Sequence, residues 1–256
     1  MDMSEASSSP DEPYSWEFVS QVYDYRLQVA ERRELFLEVE GLYEAKAAAL
    51  SAELDAAMAA ADPEDHDDIV DDFVWDIRHV DHQLPSIQRA ATFIMLVHFL
   101  EARLTAICDG IGEELKLDAR VKRFRGSGVE PALLFLKKYS KLDLSGLASD
   151  FDFLRGCKHL RNALVHSGGH LSEANTRTVK FVRNEPALEG QATGEIHVTS
   201  ALVVKFLDCL ETIFIGLHTA MESFMRQAGN TAPVYLIGTF GSVPIFGPDP
   251  QGPSER

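Results

Sequence analysis

Cysteine is scarce in this 256-residue chain: Cys108, Cys157 and Cys209 are the only three, far apart and odd in number. That excludes a disulfide framework and a zinc knuckle, and it fits a reducing cytosol. The first 20 residues lack a basic start followed by an apolar run, so no secretory signal is expected. Uninterrupted apolar runs of membrane-spanning length are also missing. Residues 90–100 are too few and contain His98, and residues 201–217 carry Lys205, Asp208 and Glu211, as a core helix does. These absences read as a soluble cytoplasmic protein with no membrane partner. What is present is enough apolar sequence, 45%, to bury a sizeable core in one or two domains.

Basic residues are few as well, and unevenly placed. The net charge of −16 excludes a generally basic nucleic-acid coat. Residues 1–114 hold 7 basic and 26 acidic side chains, residues 115–183 hold 14 and 6, and residues 184–256 hold 3 and 8. A confined positive block on an acidic body can accept a polyanion locally while the rest repels non-specific contact. The block opens with KLDARVKRFRGSG, which supplies Lys116, Arg120, Lys122, Arg123 and Arg125. The competing reading is a solvated face, or a partner for the acidic N-terminal part of the same molecule.

Hydrophobic spacing is helical through most of the chain. Residues 1–13, rich in Ser, Pro and acid, are expected to be disordered. Residues 14–83 form an N-terminal helical extension: one long helix from Tyr14 to about Ala61, a stop and restart at Asp62-Pro63, and a second helix to about His82. Leu84-Pro85 predicts a break or kink. Residues 84–228 form a further helical domain with a strongly apolar central helix ending near Leu115, and Gly126-Ser127-Gly128 is a loop. VEPALLFLKKYSKL is a shorter helix, residues 150–167 another, and residues 200–226 the last. TVKFVRN and GEIHVT alternate like strands around a turn-rich EPALEGQATG, which predicts a small β-hairpin before the last helix. Residues 229–256 are an apolar tail rich in Gly and Pro. The fold class expected is mainly all-α: a helical bundle with long N-terminal helices and one small hairpin.

Candidate chemistry concentrates in GCKHLRNALVHSGGH, residues 156–170, inside the positive block. Asn162 and His166 are four apart and share a helix face. Arg161 and His166 are five apart, about 140° around an ideal helix. One straight helix does not aim both at one point; the reach of Arg, fraying of the last turn or a second copy of the helix would bring them together. Ser167-Gly168-Gly169 supplies a left-handed cap, and the helix C-terminus favours a cation at His166. Arg161 is a permanent cation whose fork matches phosphate. Arg, His and an amide suffice for RNA cleavage without a metal. His takes the 2′-OH proton or protonates the leaving 5′-oxygen, Arg offsets developing charge, and Asn orients His or phosphate. By spacing alone, Arg and His at an exposed helix end are more often structural than catalytic.

LRNALVH, residues 160–166, resembles the signature of the HEPN superfamily: an Arg, a polar residue that is often Asn, three further residues and a His. Arg161, Asn162 and His166 match those positions, and Glu101 in HFLEARL matches an acid on a central apolar helix. By helix order the resemblance covers roughly residues 85–225. It implies a bundle of four or five helices that dimerises, with two signature helices forming a shared cleft. It also implies a metal-independent endoribonuclease of the toxin, phage-defence or RNA-processing kind, restrained by an antitoxin or other regulatory protein. RNA is then the substrate, no cofactor or metal is needed, and the cleavage ends are a 2′,3′-cyclic phosphate and a 5′-OH. Arg161, His166, Asn162 and Glu101 are the catalytic candidates. Lys158, Lys122, Arg123 and Arg125 are the candidates for RNA binding. The long N-terminal helices and the hairpin are additions that the resemblance does not account for.

Other groupings are weaker. His98 with Glu101, or Asp76 with His79 and His82, offers too few metal ligands. Glu101 reads equally well as a surface acid paired to Arg103 or a lysine. Cys157 falls on the apolar side of its helix and reads as core. Two further functions compete with the ribonuclease: a non-catalytic HEPN-like scaffold that binds a protein or nucleotide through its basic patch, and a helical adaptor pairing through its long N-terminal helix.

Overall fold

A computed structural model describes residues 14–117, 121, 129–188 and 193–229. Among these the architecture is all-α with one short β-ladder. Helix α1 spans Trp16–Ala60 and α3 spans Leu84–Glu114, separated by α2, His66–Arg78. Helices α4 (Val129–Tyr139), α5 (Ala148–Ser167), α6 (Thr176–Asn184) and α7 (Ser200–Gln227) follow.

The long helices are tied end to end by polar contacts. The Ser15 hydroxyl caps α1 by accepting from Phe18 N–H at 3.2 Å, and it donates to Glu114 at the end of α3 at 2.7 Å. At the other end Arg89 of α3 grips Glu40 of α1 at 2.7 Å, so α1 and α3 are antiparallel. Arg26 and Arg33 of α1 pair with Glu211 and Asp208 of α7, and Tyr14 packs against Phe224, so α1 and α7 are antiparallel too. Helices α3 and α7 therefore run parallel, and their aromatic residues meet in register: Phe93 with Phe206 and Phe99 with Phe214. This trio is the core, and α5 packs on it between α4 and α6.

Full burial on α1 ends at Glu40; residues 41–60 pair with α2, and neither segment holds a fully buried residue. The two form an arm extending from the core. The irregularity expected at Leu84-Pro85 is present, but it does not end the helix. Residues His79–Gln83 form a wider π-type turn, in which Leu84 N–H donates to the His79 carbonyl. The widened turn accommodates the proline, and α2 continues into α3 without a break in the helix. This segment, Pro63–Glu114, is long and apolar enough to cross a membrane by length and composition, yet half of its most apolar window is buried inside the protein.

The β-ladder differs from the expected hairpin. TVKFVRN is α6, not a strand: Val179 and Val182, three apart, both face the core, so helical spacing wins over the alternation of Val179 with Phe181. Of GEIHVT only Gly194–Glu195 is a strand (β2). Its partner is His170–Leu171 (β1), directly after α5, with His170 opposite Glu195. Residues 1–13, 122–128 and 230–256 lie outside the described residues, and with them the loop Gly126-Ser127-Gly128 and most of the tail.

Candidate functional site

The signature helix is fixed at its C-terminal end. Gly168 adopts φ +57°, and Gly169 N–H donates to the Ala163 carbonyl at 3.2 Å, the expected left-handed closure. Gly169 then has φ +80° and its carbonyl accepts from Ile196 N–H at 3.1 Å. The last turn of α5 is thus pinned to the β-ladder. Ser167 adds a hydroxyl bond to the Ala163 carbonyl at 2.8 Å.

Arg161 and Asn162 are brought together. Arg161 Nη1 donates to Asn162 Oδ1 at 3.1 Å. Arg161 Nε is buried and has no hydrogen-bond acceptor in the structure, and no carboxylate pairs with Arg161 among the described residues. The guanidinium is therefore held in place by a neutral amide, with no carboxylate counter-charge among the described residues. His166 is exposed, with exposed Val165 and Ser167 on either side. No hydrogen bond among the described residues joins His166 to Arg161 or Asn162. Asn162 lies four residues before His166 and so shares a helix face with it, while Arg161 lies on another.

The remaining candidates fare differently. Lys158 is only 9% exposed, so it is no free surface finger. Its charge acts on its neighbour instead. Partial burial, then Lys158, then Arg177 hold the His159 imidazole below its ordinary pKa, against an opposing pull from Glu130. Arg177, exposed on the first turn of α6, is close enough to His159 for its charge to act there. Sequence reasoning missed it because TVKFVRN reads as a strand; the i, i+3 valines were the available signal. Glu101 is half-buried and its carbonyl accepts from Thr105 Oγ1 at 2.8 Å. It is not paired with Arg103, which stacks on Tyr25 and Phe99, and no ion pair among the described residues joins Glu101 to Arg161 or His166. Lys122, Arg123 and Arg125 lie outside the described residues. Cys157 is fully buried, and burial pushes its thiol well above the ordinary range, which suits core packing and not nucleophilic work.

Compared with known proteins, the chain matches no family model, no curated protein and no solved structure.

The arrangement offers an uncommitted cation, an amide locked to it, and an exposed imidazole one helical turn on. Chemically that set can hold a phosphodiester and move one proton. A second proton relay, needed to protonate the leaving oxygen while the attacking hydroxyl is deprotonated, is not present on one copy of α5. His159 is partly buried, and the positive charges around it disfavour its acid form.

Proposed function

We propose that this chain is a HEPN-like, metal-independent endoribonuclease that acts as a homodimer in the cytoplasm. The observation that carries the reading is Arg161: a partly buried guanidinium, oriented by Asn162, with no carboxylate partner among the described residues. An acidic protein that leaves such a cation unneutralised on the same helix as an exposed histidine has the makings of a phosphate site. In this reading Arg161 binds the non-bridging phosphate oxygens, and Asn162 fixes the plane of the guanidinium. His166 of one copy removes the 2′-OH proton. The 2′-oxygen attacks phosphorus, the P–O5′ bond breaks, and the 5′-oxygen takes a proton from His166 of the second copy. The products are a 2′,3′-cyclic phosphate and a 5′-OH, with no redox change. Two copies of α5 supply the second imidazole that one copy lacks. The biological setting that the resemblance implies is a toxin or phage-defence effector restrained by a protein partner.

A direct test uses RNA oligonucleotides and their 2′-deoxy counterparts. Cleavage confined to RNA, leaving cyclic phosphate, supports the reading. Equal cleavage of the deoxy strands, or a 5′-phosphate product, overturns it, because neither is compatible with attack by the 2′-oxygen.

A further inference from the structure

A second pair of cations lies away from α5, between α1 and α3. Arg32 of α1 places its guanidinium carbon 4.1 Å from the centre of the Phe99 ring. Arg103 of α3 places its own 5.3 Å from the same centre and 5.0 Å from that of Tyr25. The helices are antiparallel, and helical side chains lean toward their own N-terminus, so two long side chains from facing helices converge. Both lie against the Phe99 ring, close enough that the charge of Arg103 acts on Arg32.

Their partners are the informative part. Neighbouring Arg26 and Arg33 are neutralised by Glu211 and Asp208 of α7. Neither Arg32 nor Arg103 has a carboxylate within ion-pair distance among the described residues. Arg32 spends one N–H on the Gln28 carbonyl at 2.7 Å. Arg103 Nε is buried with no acceptor at all. Burial and the nearby positive charge of Arg103 both weaken the hold of Arg32 on its proton, with Glu31 opposing. The chain has 40 acidic side chains against 24 basic ones, so a carboxylate partner was readily available. Stacking on Phe99 and Tyr25 offsets part of the cost, but cation–π contacts do not remove like-charge repulsion.

We infer that Arg32 and Arg103 form a binding site for a phosphate oxyanion, which supplies the missing counter-charge and accepts the unspent N–H groups. The guanidinium fork suits phosphate oxygens, and the aromatic floor fixes its plane. The site does not rest on the ribonuclease reading, since it uses other helices. The phosphate can come free, as the ion or on a small molecule, or from an RNA backbone; the shared chemistry is the oxyanion.

The test is thermal unfolding of the full chain in inorganic phosphate against chloride at equal ionic strength, with Arg103→Met, Arg32→Met and, as a control, Arg26→Met. Methionine keeps the apolar stem over the ring and removes the charge. Saturating phosphate is expected to raise Tm by about 3 °C in wild type and in Arg26→Met, and to leave Arg103→Met and Arg32→Met unchanged. In chloride, Arg103→Met should unfold no lower than wild type, because repulsion is relieved. No phosphate-specific rise in wild type, or an equal rise in the Arg103 and Arg32 variants, overturns the site. A fluorescent single-stranded RNA 12-mer separates the sources. Weaker RNA binding by Arg103→Met, with a salt slope smaller by about 1, assigns the phosphate to a backbone. Unchanged RNA binding alongside a lost phosphate effect assigns it to a free phosphate.

Discussion

His159 and the capping glycines show how local physics sets the behaviour of single residues around α5. Burial first, and the charges of Lys158 and Arg177 next, hold His159 below its ordinary pKa. The unfolded chain therefore binds a proton that the folded chain resists. Stability from this group is complete above the ordinary imidazole range and is lost as pH falls toward the lowered value. His218, depressed by burial beside Tyr23, acts with the same sign. Urea midpoints measured from pH 7.5 to 5 should fall, and His159→Gln should flatten that fall without abolishing it; an unchanged slope refutes the assigned cause. At the cap, Gly168→Ala places a side chain at φ +57° in open space and should cost about 1 kcal/mol. Gly169→Ala should cost more, because its Cβ would also lie 3.0 Å from the Ile196 carbonyl and press on the ladder. Equal midpoints for the two variants would show that the ladder does not hold the cap. The cap was legible in the sequence, since Ser167-Gly168-Gly169 has few other readings. The near-complete burial of Lys158 was not, because a polar letter beside a signature gives no sign of what packs over it.

At the scale of elements, α6 decides how α5 sits. Gly156 has no side chain, and the Phe181 ring of α6 occupies the space a Cβ would need. Phe181 in turn packs against Phe153 with the rings tilted and their centres 5.9 Å apart. Gly156→Ala should therefore destabilise the protein by about 1–3 kcal/mol by overpacking, although in an exposed helix the same change stabilises by up to about 1 kcal/mol. A measured gain in stability would mean that Phe181 is free to move aside. This contact also explains where sequence reading failed. Seven residues, TVKFVRN, satisfy both alternation and an i, i+3 pattern, and tertiary docking of Phe181 against a glycine decides between them. Pro85 is the parallel case: its missing donor is evident from the sequence, but the π-type turn that precedes it, with Val80 buried inside it, is not. The long periodic segments, α1, α3 and α7, were legible because fifteen or more residues of helical spacing leave little ambiguity.

Over the whole molecule, charge and core are separated. The acidic excess sits on α1 and α2, where the arm leaves the core, and α5 falls within the stretch of sequence, residues 115–183, that carries the basic excess. The junction is held by Glu40, 7% exposed, and Arg89. Removing the cation strands a buried carboxylate, so Arg89→Met should lower stability by up to about 3 kcal/mol, and adding Glu40→Leu should restore most of it. Failure of the double variant to recover would place the loss in packing and not in charge. The all-α architecture followed from hydrophobic spacing alone. The relation of Arg161 to His166 did not, because helix geometry puts them about 140° apart and one copy of α5 leaves them unjoined. The central claim is that these two residues work together on RNA across two copies of the chain. Its most direct test is RNA cleavage in excess chelator by wild type, Arg161→Ala and His166→Ala, each first confirmed as a dimer by ultracentrifugation. Wild type should cleave, and each variant should lose about 10²-fold or more in rate. Cleavage that is absent, that requires added metal, or that is unchanged in both variants would contradict it.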